Sequence, residues 1–326
     1  MTIGEANLAA QAAAVDGFAK RFHALAANIE RVIRGKRQVV ELAIICLFSE
    51  GHLLVEDVPG VGKTTLARCL AASIDATWHR VQFTPDLLPS DITGTTIYNQ
   101  HANAFEFHPG PVFANVVLGD EINRASPKTQ SALLEVMEER RVTVDGRPNP
   151  VPRPFMVIAT QNPIDMDGTY ALPEAQLDRF LMRVSMGYPD QAAEVSVLKG
   201  EGFQVEQLPT VISLEEVSWL VETATRVHVA PSLYDYIAQV SAASRAAGDL
   251  RLGASPRGSV ALLRAARVLA LSDGRAFATP EDVRALAVPV LAHRLMLTPE
   301  AELRGRTAAE VIHDVLQSVP VPAGGG

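Results

Sequence analysis

The chain reads as an α/β protein, a parallel sheet layered between helices, followed by a smaller all-helical domain. Three observations predict this. Short, near-continuous apolar runs alternate with helix-patterned stretches through residues 1–188, as strands buried on both faces require. Strand signals fade at Tyr188-Pro189, and periodic helical patterns follow. The 326 residues are 48% hydrophobic but only 6% aromatic, with Ala, Val and Leu dominant. That composition favours helices on a buried sheet and supplies core for two domains.

The elements follow in order. From about Ala6 to Phe48 the pattern is helical, broken at VIRGKRQ, where Gly35 marks a turn. Five runs then read as strands: HLLVED (52–57), RVQFT (80–84), VVLGD (116–120), FMVIAT (155–160) and RVSMGY (183–188). Two segments interrupt the alternation. TTIYNQHANAFEF (95–107) has β-prone arms around a polar, turn-like middle, and RRVTVDGRPNP carries an Asp145-Gly146 turn, so both read as hairpins. Beyond Pro189, SVALLRAARVLAL and PEDVRALAVPVLAHRL are helical, with Pro280 in a first helical turn. The expected division is a core over 1–188, with hairpin inserts near 95–108 and 141–153, a helical domain over 189–318, and a flexible tail, VPVPAGGG, over 319–326.

The net charge of −8 gives no overall basic footprint for nucleic acid. A local stripe remains between Arg245 and Arg306, where ten arginines face six acidic residues. Cys46 and Cys69 lie far apart in apolar helical patterns, without C-x-x-C or His spacing for zinc, and read as reduced core thiols. Glu5 and Asp16 interrupt the alanine-rich start, so it reads as an amphipathic helix rather than a leader. No window approaches the roughly 18 consecutive apolar residues of a membrane span. A cytoplasmic protein is expected.

LLVEDVPGVGKTTLA (53–67) nearly matches the phosphate-binding loop G-x-x-x-x-G-K-[ST], with Asp57 in place of the first glycine. A strand leads into it and a helix leaves it, which is the context that phosphate binding requires. Gly60 and Gly62 let backbone N–H groups curl around phosphate oxygens, Lys63 reaches the terminal phosphates, and Thr64 can ligate Mg²⁺. Pro59, Val61 and Thr65 complete the candidate nucleotide loop. Asp57, at the strand exit, turns the chain rather than touching phosphate. VVLGDEINR places Asp120 to hold Mg²⁺ and Glu121 to polarise an attacking water; read alone, the same pair can cap the next helix.

LLVEDVPGVGKTTLA, LGDEINRASPKTQSALLEVMEER, VIATQNPIDMDGTYALPEAQLDRFLMR and GASPRGSV together closely resemble the MoxR family of AAA+ ATPases, over about Val32 to Arg294. The resemblance implies an αβα phosphate-loop sandwich with a small helical lid, assembled as a homo-oligomeric ring, usually a hexamer. The 95–107 hairpin then looks like the helix-2 insert of this clade, and RRVTVDGRPNP like its hairpin before sensor 1. Asn162 resembles sensor 1, which orients the water or the γ-phosphate; the weaker alternative is an Asn that opens a turn before Pro163. Arg179 in LDRF resembles an arginine finger reaching the neighbouring subunit's nucleotide; its alternative is a salt bridge to Asp178 or Glu174. Arg257 in ASPRGSV resembles sensor 2, acting either on its own nucleotide or on the neighbour's. Ile33 and Gly35 match the stretch that lies against adenine, although packing alone explains Ile33. Arg124 is a further candidate to cross a subunit boundary.

The resemblance implies Mg²⁺-dependent ATP hydrolysis used to mature or activate partner proteins, often metal or cofactor enzymes, together with a von Willebrand A domain protein. Helicase-type nucleic-acid motors are the alternative from another class, opposed by the acidic balance and by hairpins sparse in basic and aromatic residues. A chelatase-type motor subunit is a narrower rival. A nucleotide-gated scaffold that barely hydrolyses is opposed by intact Lys63, Asp120, Glu121 and Asn162.

Overall fold

A computed structural model describes residues 3–162, 169–189, 191–199 and 204–322. Two helices, α1 (Ile3–Glu30) and α2 (Arg37–Phe48), come first, and Gly35 turns the chain between them with φ +70°. There follow β1 (Leu53–Glu56), α3 (Lys63–Ser73), β2 (Trp78–Gln82), α4 (Pro89–Thr93), β3 (Gly94–Asn99), β4 (Ala104–Pro109), β5 (Val116–Asp120), α5 (Pro127–Glu139), β6 (Arg141–Val144), β7 (Arg147–Pro150), β8 (Met156–Gln161), α6 (Glu174–Leu177) and β9 (Met182–Val184).

Five strands form one sheet in the order β2-β5-β8-β1-β9, and every neighbouring pair is parallel. Successive side chains on a strand point to opposite faces, and the two halves of the core follow that alternation. Leu53, Val55, Val116, Leu118, Met156 and Ile158 face α1, α2, α3 and the later helices. Leu54, Val117, Val157 and Ala159 face α4, α5 and the hairpin side. Both expected hairpins form: β3–β4 pairs Tyr98 with Phe105 and Thr96 with Phe107, and β6–β7 closes on Asp145-Gly146, both at positive φ.

The strands β1 and β8 fall within one residue of the sequence reading at each end, and two others depart further. The edge strand β2 begins at Trp78 rather than Arg80, because only Val81 of its five residues is buried and the apolar signal is weak. β9 ends at Val184, and Ser185–Tyr188 leave the sheet to serve the nucleotide loop described below.

After the sheet come α7 (Gln191–Leu198), α8 (Leu214–Thr225), α9 (Pro231–Ala246), α10 (Pro256–Ser272), α11 (Pro280–Leu291), α12 (Pro299–Leu303) and α13 (Ala308–Ser318). Reciprocal caps start two of them, through Ser213 with Glu216 and Thr307 with Glu310, and at a third the Asp282 carboxylate accepts from the Thr279 amide and hydroxyl. This helical region also carries one short antiparallel ribbon, β10 (Leu250–Leu252) with β11 (Met296–Leu297), too short to leave a period in the sequence. Its buried side chains join α1, α2 and the sheet in one continuous apolar cluster. Cys46 and Cys69 are buried free thiols. No helix among the described residues is long and apolar enough to cross a membrane. Residues 323–326 of the expected tail lie outside the described residues.

Candidate functional site

The carboxyl ends of β1, β5 and β8 lie side by side, which brings together segments remote in sequence. α3 starts at Gly62, which adopts the left-handed conformation (φ +95°), and no side chain caps its first turn. Gly60 is also left-handed (φ +86°), with open space where a Cβ would stand, so backbone conformation alone demands glycine there. The loop therefore presents uncapped N–H groups at the positive end of a helix dipole.

Asp57 explains its own departure from the motif. Its carboxylate accepts hydrogen bonds from the Gly187 amide at 2.6 Å, Ser185 Oγ at 2.9 Å and the Val58 amide at 2.9 Å. Burial alone pushes this carboxyl up, but the Gly187, Ser185, Val58 and Met186 hydrogen bonds outweigh it and hold the group below its ordinary pKa. Asp57 is a clamp between the phosphate loop and the chain leaving β9. Lys63 is 9% exposed and donates from Nζ to the Asp57 carbonyl at 2.7 Å. Burial lowers the Lys63 pKa, opposed by Asp120, Asp57 and Glu121.

The acidic pair ends β5. Thr160, wholly buried on β8, joins its two members: its hydroxyl donates to Asp120 Oδ1 at 2.5 Å and accepts from the Glu121 amide at 2.9 Å. Glu121 sits at φ +55°, an uncommon conformation for a non-glycine residue and one concentrated at functional sites. Local cations occupy both carboxylates. Arg80 donates to Asp120 Oδ2 from Nη2 at 2.6 Å, while Arg124 and Gln82 donate to Glu121 Oε2 at 2.8 and 3.2 Å.

Asn162 follows β8, and its carbonyl accepts from Asn123 Nδ2 at 3.5 Å. The Asn-Pro alternative falls on Pro163, outside the described residues. Ile33 is buried in the larger apolar cluster, which also contains Met186. Lys36, next to Gly35, donates from Nζ to the Tyr188 carbonyl at 2.6 Å. The turn at 33–36 is thus tied to the same 185–188 segment that clamps Asp57.

Arg179 and Arg257 lie elsewhere. They share a cleft of about 620 Å³ where the sheet domain meets the later helices, and no phosphate-loop residue lines it. Arg179 Nη2 pairs with Glu138 Oε2 at 3.1 Å, and Arg257 Nη2 pairs with Glu138 Oε1. Arg179 therefore pairs with Glu138 rather than with Asp178 or Glu174. Asp178 instead accepts from the buried Arg294 and, at 3.0 Å, from Ser255 Oγ, whose residue caps the helix carrying Arg257. The cleft wall holds six guanidinium groups, with Arg140, Arg153 and Arg264 completing the set, against the carboxylates of Glu50, Glu138 and Asp178.

Residues 52–182 match the family described as ATPase family associated with various cellular activities (AAA), and residues 242–315 match the AAA lid domain. Chaperone MoxR1 of Mycobacterium tuberculosis is 43% identical, over 94% of this chain and 85% of its own. The chain belongs to the MoxR family of AAA+ ATPases. Another relative, the uncharacterized protein YeaC of Bacillus subtilis, is 48% identical over 90% of this chain and 93% of its own. A crystal structure from Cytophaga hutchinsonii superposes with a TM-score of 0.90 at 36% identity, covering 97% of this chain and 99% of that one.

In this MoxR chain the phosphate loop, acidic pair and Asn162 segment converge, while the two arginines form a separate group. Sequence reasoning missed Thr160, Arg80 and Gln82 at the first group, and Glu138 and Arg294 at the second. Arg80 and Gln82 alternate outward on an edge strand beside β5, a signal open to reading once the strand order is known. Glu138 and Arg294 carry no such local signal.

Proposed function

We propose that this MoxR-type chain is a Mg²⁺-dependent ATPase whose catalytic site closes only between neighbouring copies in a homo-oligomeric ring, a hexamer. The observation that carries the reading is the separation of the arginines from the phosphate loop. A cleft with more guanidinium than carboxylate groups, and no phosphate-binding element of its own, calls for an anion from another molecule. Arg179 and Arg257 both act on the nucleotide of the next subunit.

The residues of the loop fit a nucleotide. Uncapped amides at α3 and the buried Lys63 suit phosphate oxygens, and beside the loop Gln161 Oε1 and Asn123 Oδ1 are buried acceptors without hydrogen-bond partners, suited to a water O–H. The Thr64 hydroxyl and the Asp120 carboxylate form an oxygen donor set of the kind a hard divalent cation takes. Bound there, Mg²⁺ supplies charge neutralisation on the phosphates. Asp120 must release Arg80 to take this role. Glu121, freed from Arg124 and Gln82, accepts a proton from water, and Asn162 orients that water or the terminal phosphate. Pro59–Thr65 hold the phosphates, and Ile33 and Gly35 lie on the adenine side. Lys63 and the two arginines stabilise the charge that develops on the transferred group.

The energy serves remodelling of partner proteins in the cytoplasm, as the name of the relative MoxR1 suggests, in concert with a von Willebrand A domain protein. An exposed aromatic pair supports a polypeptide client: the Tyr98 and Phe105 rings meet at a tilt, 5.2 Å between centroids, on the hairpin β3–β4 and are 45% and 75% exposed. The acidic chain has little use for DNA or RNA.

Mixing two inactive variants tests the reading. Lys63→Ala should lose nucleotide binding, and Arg179→Ala should bind ATP yet turn it over slowly, since a finger in trans is worth ~10³–10⁵ in rate. In mixed rings an intact Lys63 site can face an intact Arg179, so activity returns. Mixed rings that form without regaining activity, or equal turnover per chain after dilution to monomers, sink the shared site. Hydrolysis by Glu121→Gln at the wild-type rate removes Glu121 as the base, and several-fold stimulation by DNA that fades with salt would favour a nucleic-acid motor.

A further inference from the structure

We propose that Glu138 is the residue that makes the arginine cleft selective for a neighbour carrying a triphosphate. The proposal rests on the ring reading above. One carboxylate serves both arginines, Oε2 pairing with Arg179 and Oε1 with Arg257. Its two oxygens occupy the guanidinium groups as two oxygens of a phosphate do.

The backbone around this trio is held firmly, so only side chains need to move. His52 donates from Nε2 to the Met137 carbonyl at 3.0 Å, and Arg140 donates to Glu50 Oε1 and to the Glu50 carbonyl at 2.5 and 2.7 Å. Those contacts fix α5 on either side of Glu138. On the arginine side, Arg294 donates to the Asp178 and Phe180 carbonyls at 2.8 and 2.6 Å, bracketing Arg179. Ser255, joined to Asp178, fixes the start of α10 and hence Arg257.

The pairs themselves are replaceable. The side chains of Arg179, Arg257 and Glu138 are 28%, 54% and 41% exposed, and ion pairs this wet are weak. Arg179 also keeps a donor in reserve, because its Nε is buried with no hydrogen-bond partner. An incoming γ-phosphate offers three oxygens and more negative charge than a carboxylate, enough to satisfy both guanidinium groups at once. A neighbour holding only ADP has no γ-phosphate to present, so Glu138 retains both arginines. Glu138 thus sets how much anion a neighbour must bring before the seam closes.

Sedimentation velocity of the full chain over a range of concentrations tests this, with Mg²⁺ and either ADP or the β,γ-imido analogue of ATP. Wild type should assemble at lower protein concentration with the analogue than with ADP. Glu138→Gln, isosteric and on an exposed helix face, should move the ADP curve toward lower concentration by about 2- to 30-fold, the worth of two such pairs, and the analogue curve less. Glu135→Gln removes the same charge one turn away and should leave both curves in place. Adding Arg179→Ala and Arg257→Ala should abolish the Glu138→Gln shift. If wild type discriminates and Glu138→Gln overlays it, or if Glu135→Gln shifts equally, Glu138 is an ordinary surface partner. A wild type that assembles with neither nucleotide overturns the ring reading, and this proposal with it.

Discussion

Restoring the strict phosphate-loop pattern by Asp57→Gly should damage the protein. Asp57 is only 8% exposed and accepts three hydrogen bonds, from Gly187, Ser185 and Val58. Hydrogen bonds to a charged acceptor are worth about 1.5–3 kcal/mol each, and the substitution leaves the Gly187 amide and Ser185 hydroxyl short of a partner. Relaxation and water entry return part of this, so a net loss of about 3 kcal/mol is expected. At roughly 2–4 °C per kcal/mol for a domain of this scale, the melting midpoint falls by about 6–12 °C. Nucleotide affinity should fall less than stability does, because Lys63 contacts the Asp57 main-chain carbonyl, which glycine keeps. The sign with pH follows from the lowered pKa: the clamp contributes fully above the ordinary carboxyl value and is lost as pH falls through the depressed one. Scanning calorimetry at pH 7 and fluorescent-nucleotide titration measure both quantities. A glycine variant melting within about 1 °C of wild type would refute the clamp.

Three further outcomes are expected. Thr160→Val keeps the shape but removes the hydroxyl between Asp120 and the Glu121 amide; it should lower turnover about tenfold or more with little change in ATP affinity, as steady-state kinetics and a binding titration would show. Arg294→Met leaves the Asp178 carboxylate without its buried partner, so denaturant unfolding should register a loss of about 3–5 kcal/mol, and a loss below about 1 kcal/mol would contradict the buried pair. Burial holds the His52 pKa at about 4, with Nε2 donating to Met137 and Nδ1 accepting from the Val157 amide. The unfolded chain therefore takes up the proton first, and stability present above about pH 6.5 should drop by about 2 kcal/mol between pH 7 and pH 5 through this residue. His52→Gln should flatten that slope.

The central strands were legible because β1, β5 and β8 are buried on both faces, so each is a short apolar run in the chain. The hairpin turn at Asp145-Gly146 and the first turn at Pro280 declare themselves through backbone chemistry. The nucleotide loop was legible for the same reason, since its glycines and lysine are contiguous. What escaped depends on partners brought close by folding. Asp57 looks like a defect in the motif until Gly187 and Ser185 arrive from the far side of β1. Thr160 is one more buried β-branched residue until β8 sits beside β5. Glu138 is one of several acids on α5, and nothing nearby in sequence marks it as the one facing two arginines.

The single apolar cluster that spans α1, α2, the sheet and the later helices has a mechanical consequence. A lid hinged on a polar linker can swing while its core stands still, but prying these helices away would expose continuous apolar surface at about 25 cal/mol for each square ångström. The sheet and the later helices therefore form one stiff body within the chain. In the proposed ring, the compliance needed for a power stroke resides at the seams, where hydrated ion pairs such as those on Glu138 can be exchanged at small cost.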